Sequence, residues 1–208
     1  MLKPSSLFLL LFFPFSLSAQ VWETIDSDHS KLAELKSALE NMESIKGDIK
    51  QEKSFSFLTE KLISKGIFIY QKESKLRWEF NDPIEYIILI NENSMRLKEE
   101  GEEKKYTGMN QILRQVKEII LGCVDGSIME DSHYKTAFSS NRVSLRIELQ
   151  PKERNLKEFI QQIDVEFTQI GSTLRKVTLT DPSGDMTDIL FSNISTNNQI
   201  DEAVFADF

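Results

Sequence analysis

Residues 66–80 of this 208-residue chain read GIFIYQKESKLRWEF. In the second half of this stretch apolar and polar residues alternate, which is the pattern of a β-strand with one buried face. The apolar members of that alternation are large: Leu76, Trp78 and Phe80. The first half is apolar on both faces, which predicts a strand covered from two sides, and its leading Gly66 permits a bulge or a close backbone approach. The stretch therefore predicts two strands, 62–70 and 76–81, with a shared aromatic face.

Short segments rich in aromatic and β-branched residues continue this pattern on both sides of the stretch, and turn residues at 81–83 and 91–93 separate several of them. The other predicted strands are 45–53, 86–90, 94–98, 134–140, 143–150, 160–168, 174–180 and 187–195. About ten strands are many for one flat sheet, so they indicate strong curvature or partial closure into a barrel. The charged residues around Gly101 predict a solvated hairpin tip.

Two longer segments show helical periodicity instead. In residues 28–46 the apolar positions are Leu32, Leu35, Leu39 and Met42. In residues 110–122 they are Ile112, Leu113, Val116, Ile119 and Ile120, and Gly122 is the candidate C-terminal cap. A short polar helix is predicted at 153–158. Residues 20–208 contain no recognisable linker or internal repeat. The sequence therefore predicts one α+β domain, mainly β, over residues 20–208.

The first 19 residues differ in composition from the rest of the chain. They hold one charge, Lys3, followed by an apolar run at 7–15 and small residues at 16–19. This pattern predicts a secretory signal peptide, residues 1–19, with cleavage after Ala19 or, as the alternative, after Ser18. A permanent anchor is less favoured, because the run is shorter than the roughly 20 residues of a spanning helix and contains Pro14. Cleavage would change the net charge from −8 to −9, since Lys3 is lost.

The composition narrows the classes of partner and chemistry. The chain has 33 acidic and 25 basic residues, so most of its surface would repel nucleic acid and anionic headgroups, and we expect neither as a general partner. Cys123 is the single cysteine, which excludes an intrachain disulfide. His29 and His133 are isolated, and no metal-ligand spacing or Gly-x-Ser-x-Gly elbow is present. The sequence thus predicts no catalytic site, no metal and no cofactor.

The residues quoted first carry a resemblance to the outer-membrane lipoprotein carrier family, LolA, of Gram-negative bacteria. Residues 66–80 followed by Asp82-Pro83 are similar to the family's Gly-led strand and its Trp-containing strand before a proline. Residues 49–51 resemble the family's aromatic-x-Gln motif, with Ile in the aromatic position, residues 86–93 resemble its hydrophobic strand and turn, and residues 201–205 resemble its closing Asp-x-x-x-Phe. The chain departs from the family at an Arg-Pro pair, where it has Lys72-Glu73.

This resemblance implies a strongly curved antiparallel sheet, an incomplete β-barrel, whose concave hydrophobic cavity holds acyl chains under covering helices. The implied cavity lining is Phe68, Tyr70, Leu76, Trp78, Phe80, Ile88 and Ile90. The implied residues of the lid helices are Leu35, Leu39, Met42, Ile112, Val116 and Ile119. In the family the arginine is implied to hold the lid shut through backbone carbonyls. Lys72 is the candidate latch here, and a weaker one, because an ammonium lacks the planar fork of a guanidinium.

The implied function is that of a periplasmic chaperone that carries lipoproteins from the inner to the outer membrane, with no enzymatic step and no cofactor. Its implied partners are acylated lipoproteins, an inner-membrane lipoprotein-releasing ABC transporter as donor, and an outer-membrane acceptor; we expect a monomer. One alternative is a LolA-like carrier of another lipid or lipid-linked product in the periplasm. A hydrolase is a third, less favoured interpretation. Without the resemblance, the aromatic face would be interpreted as ordinary core.

Overall fold

The computed structural model describes residues 21–91, 94–104 and 111–208, and in the last range it describes side chains from residue 117 onward. The predicted signal peptide, residues 1–19, lies outside the described residues.

Strands dominate the described part of the chain, where twelve are present. They are β1 (Glu23–Ile25), β2 (Ser44–Ser54), β3 (Leu62–Gln71), β4 (Lys75–Asp82), β5 (Tyr86–Asn91), β6 (Ser94–Glu99), β7 (Glu102–Lys104), β8 (Tyr134–Ser140), β9 (Ser144–Pro151), β10 (Gln162–Thr168), β11 (Leu174–Thr180) and β12 (Met186–Thr196). Every predicted strand is present, with ends that differ by at most two residues. The two additional strands, β1 and β7, have three residues each.

The twelve strands form one antiparallel sheet in the order β1-β8-β9-β10-β11-β12-β2-β3-β4-β5-β6-β7. The edge strands β1 and β7 do not pair with each other, so the barrel is incomplete. Side chains from distant strands, such as Trp78 on β4 and Ile147 on β9, nevertheless share one core. A flat sheet of this width would span roughly 50 Å. The sheet is therefore strongly curved, as predicted, and its apolar side chains meet on the concave face.

The four α-helices of the described ranges are α1 (Ser30–Glu40), α2 (Gln111–Asp125), α3 (Arg154–Lys157) and α4 (Ala203–Ala206), and a 3₁₀ turn follows α2 at Ser127–Glu130. None of these helices is long and apolar enough to cross a membrane. α4 packs on the convex face, against β4 and β5. Its Phe205 is buried, as are Ile87 and Leu89, whose side chains alternate with the concave-facing residues of β5.

Helix α1 is shorter than the predicted 28–46. His29 caps its first turn, because the imidazole Nδ1 accepts a hydrogen bond from the Lys31 backbone N–H at 3.2 Å. At the other end the Asn41 side chain donates to the Ser37 carbonyl at 2.7 Å, which satisfies a carbonyl of the last turn. The chain then enters β2, whose first residue, Ser44, pairs with Gln71 of β3.

Helix α2 continues past the predicted end at Gly122 and ends at Asp125. The cap is instead Gly126, which has φ +78°, a left-handed conformation that glycine adopts without a steric penalty. Gly122 has a packing role inside the helix, since a Cβ there would lie 3.0 Å from Cβ of Ile128 in the 3₁₀ turn. The sequence alone could not separate these two uses of glycine.

Candidate functional site

The concave face of β3, β4 and β5 carries all of the residues predicted to line a cavity. Strict alternation places them in cross-strand rows: Phe68 pairs with Trp78 and Trp78 with Ile88, while Tyr70 pairs with Leu76 and Leu76 with Ile90. All seven residues are buried and belong to one core, namely Phe68, Tyr70, Leu76, Trp78, Phe80, Ile88 and Ile90. The hairpin connections make this face predictable, because neighbouring strands in the sequence are neighbours in the sheet.

Four aromatic rings meet at the centre of this face. Phe68 and Phe191 lie edge to face with ring centroids 5.0 Å apart, Trp78 and Phe191 are 5.9 Å apart at 87°, and Trp78 contacts Phe80 at 6.4 Å. Such tilted pairs stabilise beyond their buried area by about 1 kcal/mol each. The sequence interpretation missed Phe191. The signal was present as the alternation of Ile189 and Phe191 in β12, but only the pairing of β12 with β2 brings it to Phe68.

Helix α1 contributes apolar side chains to the core that contains this aromatic face. Its Leu35 and Leu39, with Met42 just beyond its end, are buried in the same core as Phe68 and Trp78. From α2, Ile119 joins that core as well. The other predicted lid residues, Ile112 and Val116, lie within α2, but their side chains are outside the described ones. The side chains that would line an acyl-chain cavity therefore share one core with residues of the helices that would cover it.

Lys72, in the turn between β3 and β4, contacts the C-terminus of α1. Its Nζ donates to the backbone carbonyl of Glu40, the last residue of α1, at 3.0 Å and pairs with the Glu43 carboxylate at 3.0 Å. An ammonium at this end of a helix binds orphan carbonyls and the negative end of the helix dipole. Because the Lys72 side chain is 48% exposed, we expect the contact to be weak.

A second polar contact fastens the end of α2. The Tyr70 hydroxyl donates to Oδ2 of Asp125 at 3.4 Å. Burial, together with the nearby Asp125 carboxylate, raises the pKa of Tyr70, so its hydroxyl remains protonated and can donate. No sequence pattern indicates this pair, because its members are 55 residues apart. The two helices are also linked through Lys36 of α1, which pairs with Glu130 of the 3₁₀ turn.

A cavity of about 750 Å³ lies beside the end of α2, and its described lining includes none of the four aromatic rings. Apolar side chains such as Ile119 and Leu156 share its lining with several carboxylates, and His133 lies at its edge. Nδ1 of His133 is 2.6 Å from Asp131, and that hydrogen bond raises the pKa of His133. Among the described residues no group of His, Cys, Asp and Glu could hold a metal ion. Burial raises the pKa of the Cys123 thiol to about 12, which disfavours the reactive thiolate.

Residues 40–207 match the family described as outer membrane lipoprotein carrier protein LolA. This chain belongs to the LolA family. Solved structures with a similar fold include a LolA superfamily protein from Nitrosomonas europaea, at 10% identity and a TM-score of 0.43, covering 85% of this chain and 96% of that one. A comparison with curated proteins gave no match.

Two mycobacterial structures are similar at the same distant level. Lipoprotein LppX of Mycobacterium tuberculosis has 10% identity and a TM-score of 0.44, covering 83% of this chain and 96% of that one. LprF of Mycobacterium bovis has 13% identity and a TM-score of 0.41, covering 83% of this chain and 95% of that one. At these scores, membership of the LolA family rests on the family match and not on the structural neighbours.

The departure from the LolA pattern at Lys72-Glu73 has a structural counterpart. Glu73 has φ +73° and Ser74 has φ +62°, so two successive residues of this turn are left-handed. Proline, whose ring fixes φ near −65°, could not occupy position 73 in this turn. The left-handed turn at 73–74 thus excludes the proline of the Arg-Pro pair that the resemblance implies, and it brings the position-72 side chain to the end of α1.

Proposed function

We propose that this chain is a periplasmic carrier that binds the acyl chains of lipoproteins beneath α1 and α2 and carries them from the inner to the outer membrane. The observation that supports it most is the aromatic face of β3 to β5 and β12, which shares its core with α1, a helix whose end contacts an exposed lysine of the β3–β4 turn. In this closed form the lid and lining residues serve as each other's core. A cargo chain would take the place of the lid side chains.

The free energy of burying cargo is large enough to offset the cost of displacing the lid residues of α1. Exposing Leu35, Leu39 and Met42 would cost roughly 5–9 kcal/mol at about 1.5–3 kcal/mol for each side chain. Burying one long acyl chain would contribute roughly 10 kcal/mol of favourable free energy at about 0.8 kcal/mol per CH₂. A lipoprotein has two or three such chains, so its burial exceeds the cost of displacing α1. A weak latch suits this balance, because it keeps the empty carrier closed without opposing entry.

The predicted signal peptide and the LolA membership support a periplasmic location. In that compartment the cargo would come from an inner-membrane lipoprotein-releasing ABC transporter and pass to an acceptor at the outer membrane. Transfer between two apolar cavities leaves the hydration of the acyl chains nearly unchanged, so it needs no chemical step. We therefore propose a carrier rather than an enzyme.

A second candidate is a LolA-type carrier of another lipid, since Lys72-Glu73 stands where the resemblance implies an Arg-Pro pair. Mass spectrometry of the molecules that co-purify with the protein from the periplasm distinguishes the two candidate functions. Acylated lipoproteins would support the first proposal, and free lipids or lipid-linked products the second. The control is an unrelated exported protein of similar size, purified in the same way. Absence of any apolar cargo, together with no binding of a fluorescent fatty acid by the purified protein, would contradict both.

A further inference from the structure

The loop between β2 and β3 exposes large apolar side chains. Phe57 is 76% exposed and Leu58 is 51% exposed, and at the start of β3 Leu62 and Ile63 are 60% and 44% exposed. Phe55 contacts Phe57 with ring centroids 5.5 Å apart, so the loop carries an aromatic pair. We name residues 55–63 the apolar loop. Contiguous exposed apolar residues of this size indicate a surface that meets another apolar phase.

The apolar loop has a defined shape that keeps these side chains outward. The Ser56 backbone N–H donates to Asp185 in the β11–β12 turn at 2.8 Å, and the Leu58 N–H donates to the Phe55 carbonyl at 3.1 Å. The first β3 residue to pair with β4 is Lys65, so the loop and the first three residues of β3 extend past the end of β4. The result is a projecting tip rather than a groove.

A lysine-lined cavity of about 730 Å³ adjoins the same β11–β12 turn. Pro182 of that turn lines the cavity, while Asp185 of the same turn holds the apolar loop. The described lining includes Lys135, Lys152 and Lys157 and no carboxylate, although the chain has a net charge of −8. Phe159, which precedes the lining residue Ile160 in the sequence, is 53% exposed. On the loop side Nζ of Lys53 lies 5.0 Å from the ring centroid of Phe55.

We propose that the apolar loop and the lysine cavity together form a docking surface for a phospholipid bilayer that contains anionic headgroups. Phe57 and Leu58 would enter the interface, and the lysines would meet headgroup phosphates. A projecting tip flanked by cations suits a lipid surface, which needs no matching groove. The rest of the acidic surface would be repelled, so the charge distribution would orient the carrier with this end toward the membrane. The inference rests on the proposed function, since it describes how the carrier approaches the membranes between which lipoproteins move.

The test is flotation of the purified protein with vesicles of phosphatidylethanolamine and phosphatidylglycerol in a 3:1 ratio, and with phosphatidylcholine vesicles, at about 0.1 M salt. We expect the wild type to float with the anionic vesicles and less with the neutral ones. Phe57→Ser/Leu58→Ser and Lys135→Glu/Lys157→Glu should each weaken binding about tenfold or more. The matched controls are Ile170→Ser, at a residue 92% exposed in the β10–β11 turn, and Lys46→Glu/Arg142→Glu, at exposed cations elsewhere. Both should bind as the wild type does.

Circular dichroism and thermal melts establish that each variant is folded. Binding of a fluorescent fatty acid in solution separates this inference from the proposed function, because the docking variants should retain it. Absence of wild-type flotation on either vesicle, or equal losses in the control variants, would overturn the docking surface while leaving acyl binding intact. A loop that then proved to bind a protein partner would replace the bilayer as its occupant.

Discussion

The hydroxyl of Tyr70 lies 3.4 Å from Oδ2 of Asp125 and joins the floor of the concave face to the last residue of α2. Asp125 also accepts a hydrogen bond through Oδ1 from the Ser127 backbone N–H, at 2.9 Å. One carboxylate thus fastens the sheet, the helix end and the following turn. The contact between Lys72 and Glu40 does the same for α1. Each of the two long helices is therefore held by a polar contact at the edge of an apolar interior.

The Tyr70 contact predicts how readily α2 opens. Cys123 is 4% exposed and lies in α2 two residues before Asp125, so its alkylation requires local opening. Tyr70→Phe removes a hydrogen bond with a net contribution of about 0.5–1.5 kcal/mol and should accelerate that alkylation about 2- to 10-fold. The measurement is the rate of iodoacetamide labelling of the folded protein at pH 8. Rates in urea should be equal for the two proteins, and an unchanged native rate would show that the bond does not restrain α2.

The Lys72 contact predicts the balance between the closed and open carrier. Lys72→Leu leaves the Glu40 carbonyl without its donor, and because the lysine is exposed we expect a shift below about 1 kcal/mol, or up to about fivefold. The variant should bind a fluorescent fatty acid more tightly and transfer lipoprotein to outer membranes more slowly. Lys72→Arg should preserve wild-type behaviour, since a guanidinium can also donate to the carbonyl.

The control for the two Lys72 variants is Lys46→Leu, which removes an exposed lysine on β2. It should change neither affinity nor transfer. If Lys46→Leu and Lys72→Leu behave alike, the effect comes from surface hydrophobicity, and Lys72 is not a latch.

Phe191 should prove to be a central residue of the closed interior. It is 8% exposed and contacts both Phe68 and Trp78, so Phe191→Ala should lower the free energy of unfolding by about 3–5 kcal/mol. Urea unfolding measures the loss, and Phe57→Ala, at an exposed phenylalanine, should stay within about 0.5 kcal/mol of wild type. The space left beside Trp78 should also admit a fatty acid more readily. A loss below about 1 kcal/mol would mean that β12 does not hold this ring in the core.

The sequence could predict the strands because burial of one face imposes alternation, and this local rule located residues such as Leu76 and Trp78 correctly. It missed β1, and it predicted the hairpin tip at Gly101 without the bounds of β7, because three residues are too few to show a period. It placed the end of α2 at Gly122 because a glycine required for packing and one required by a left-handed φ look the same in a sequence.

The residues of the candidate site likewise include some that the sequence could predict and some that it could not. Residues on β3 to β5 could be predicted as one face because short turns make these strands neighbours. Phe191 and Asp125 could not, since each reaches its partners through pairings across more than 50 residues that sequence patterns do not specify. The link between Lys72 and α1 came from family resemblance and not from any periodicity.

His133 predicts a pH dependence of stability. Its hydrogen bond to Asp131 favours the charged imidazolium, so the folded pKa lies above the ordinary histidine value of 6.5. A group whose pKa is raised by folding contributes its full stabilisation at pH values below its unfolded pKa. That contribution is lost as the pH rises through the folded pKa. NMR titration should give His133 a pKa above 6.5, and Asp131→Asn should return it toward that value. A titration identical in the two proteins would contradict the pairing.

Gly66 should be the least replaceable residue of the β3–β4 hairpin. A Cβ at Gly66 would overlap the carbonyl oxygen of Glu79, a backbone atom that no side-chain rotation can move away. The close approach coincides with a register shift in β4, where Lys65 pairs with Asp82 but Gly66 pairs with Phe80. Gly66→Ala must therefore separate the two strands beneath the aromatic face, and we expect a loss of more than about 2 kcal/mol in the free energy of unfolding. Gly101→Ala is the matched control, because Gly101 has φ +83° but a Cβ added there would meet no atom of the described residues within 4 Å. That variant should lose only the roughly 1 kcal/mol of a left-handed alanine. Equal losses in urea unfolding would show that conformation, and not the contact with Glu79, makes glycine necessary at position 66.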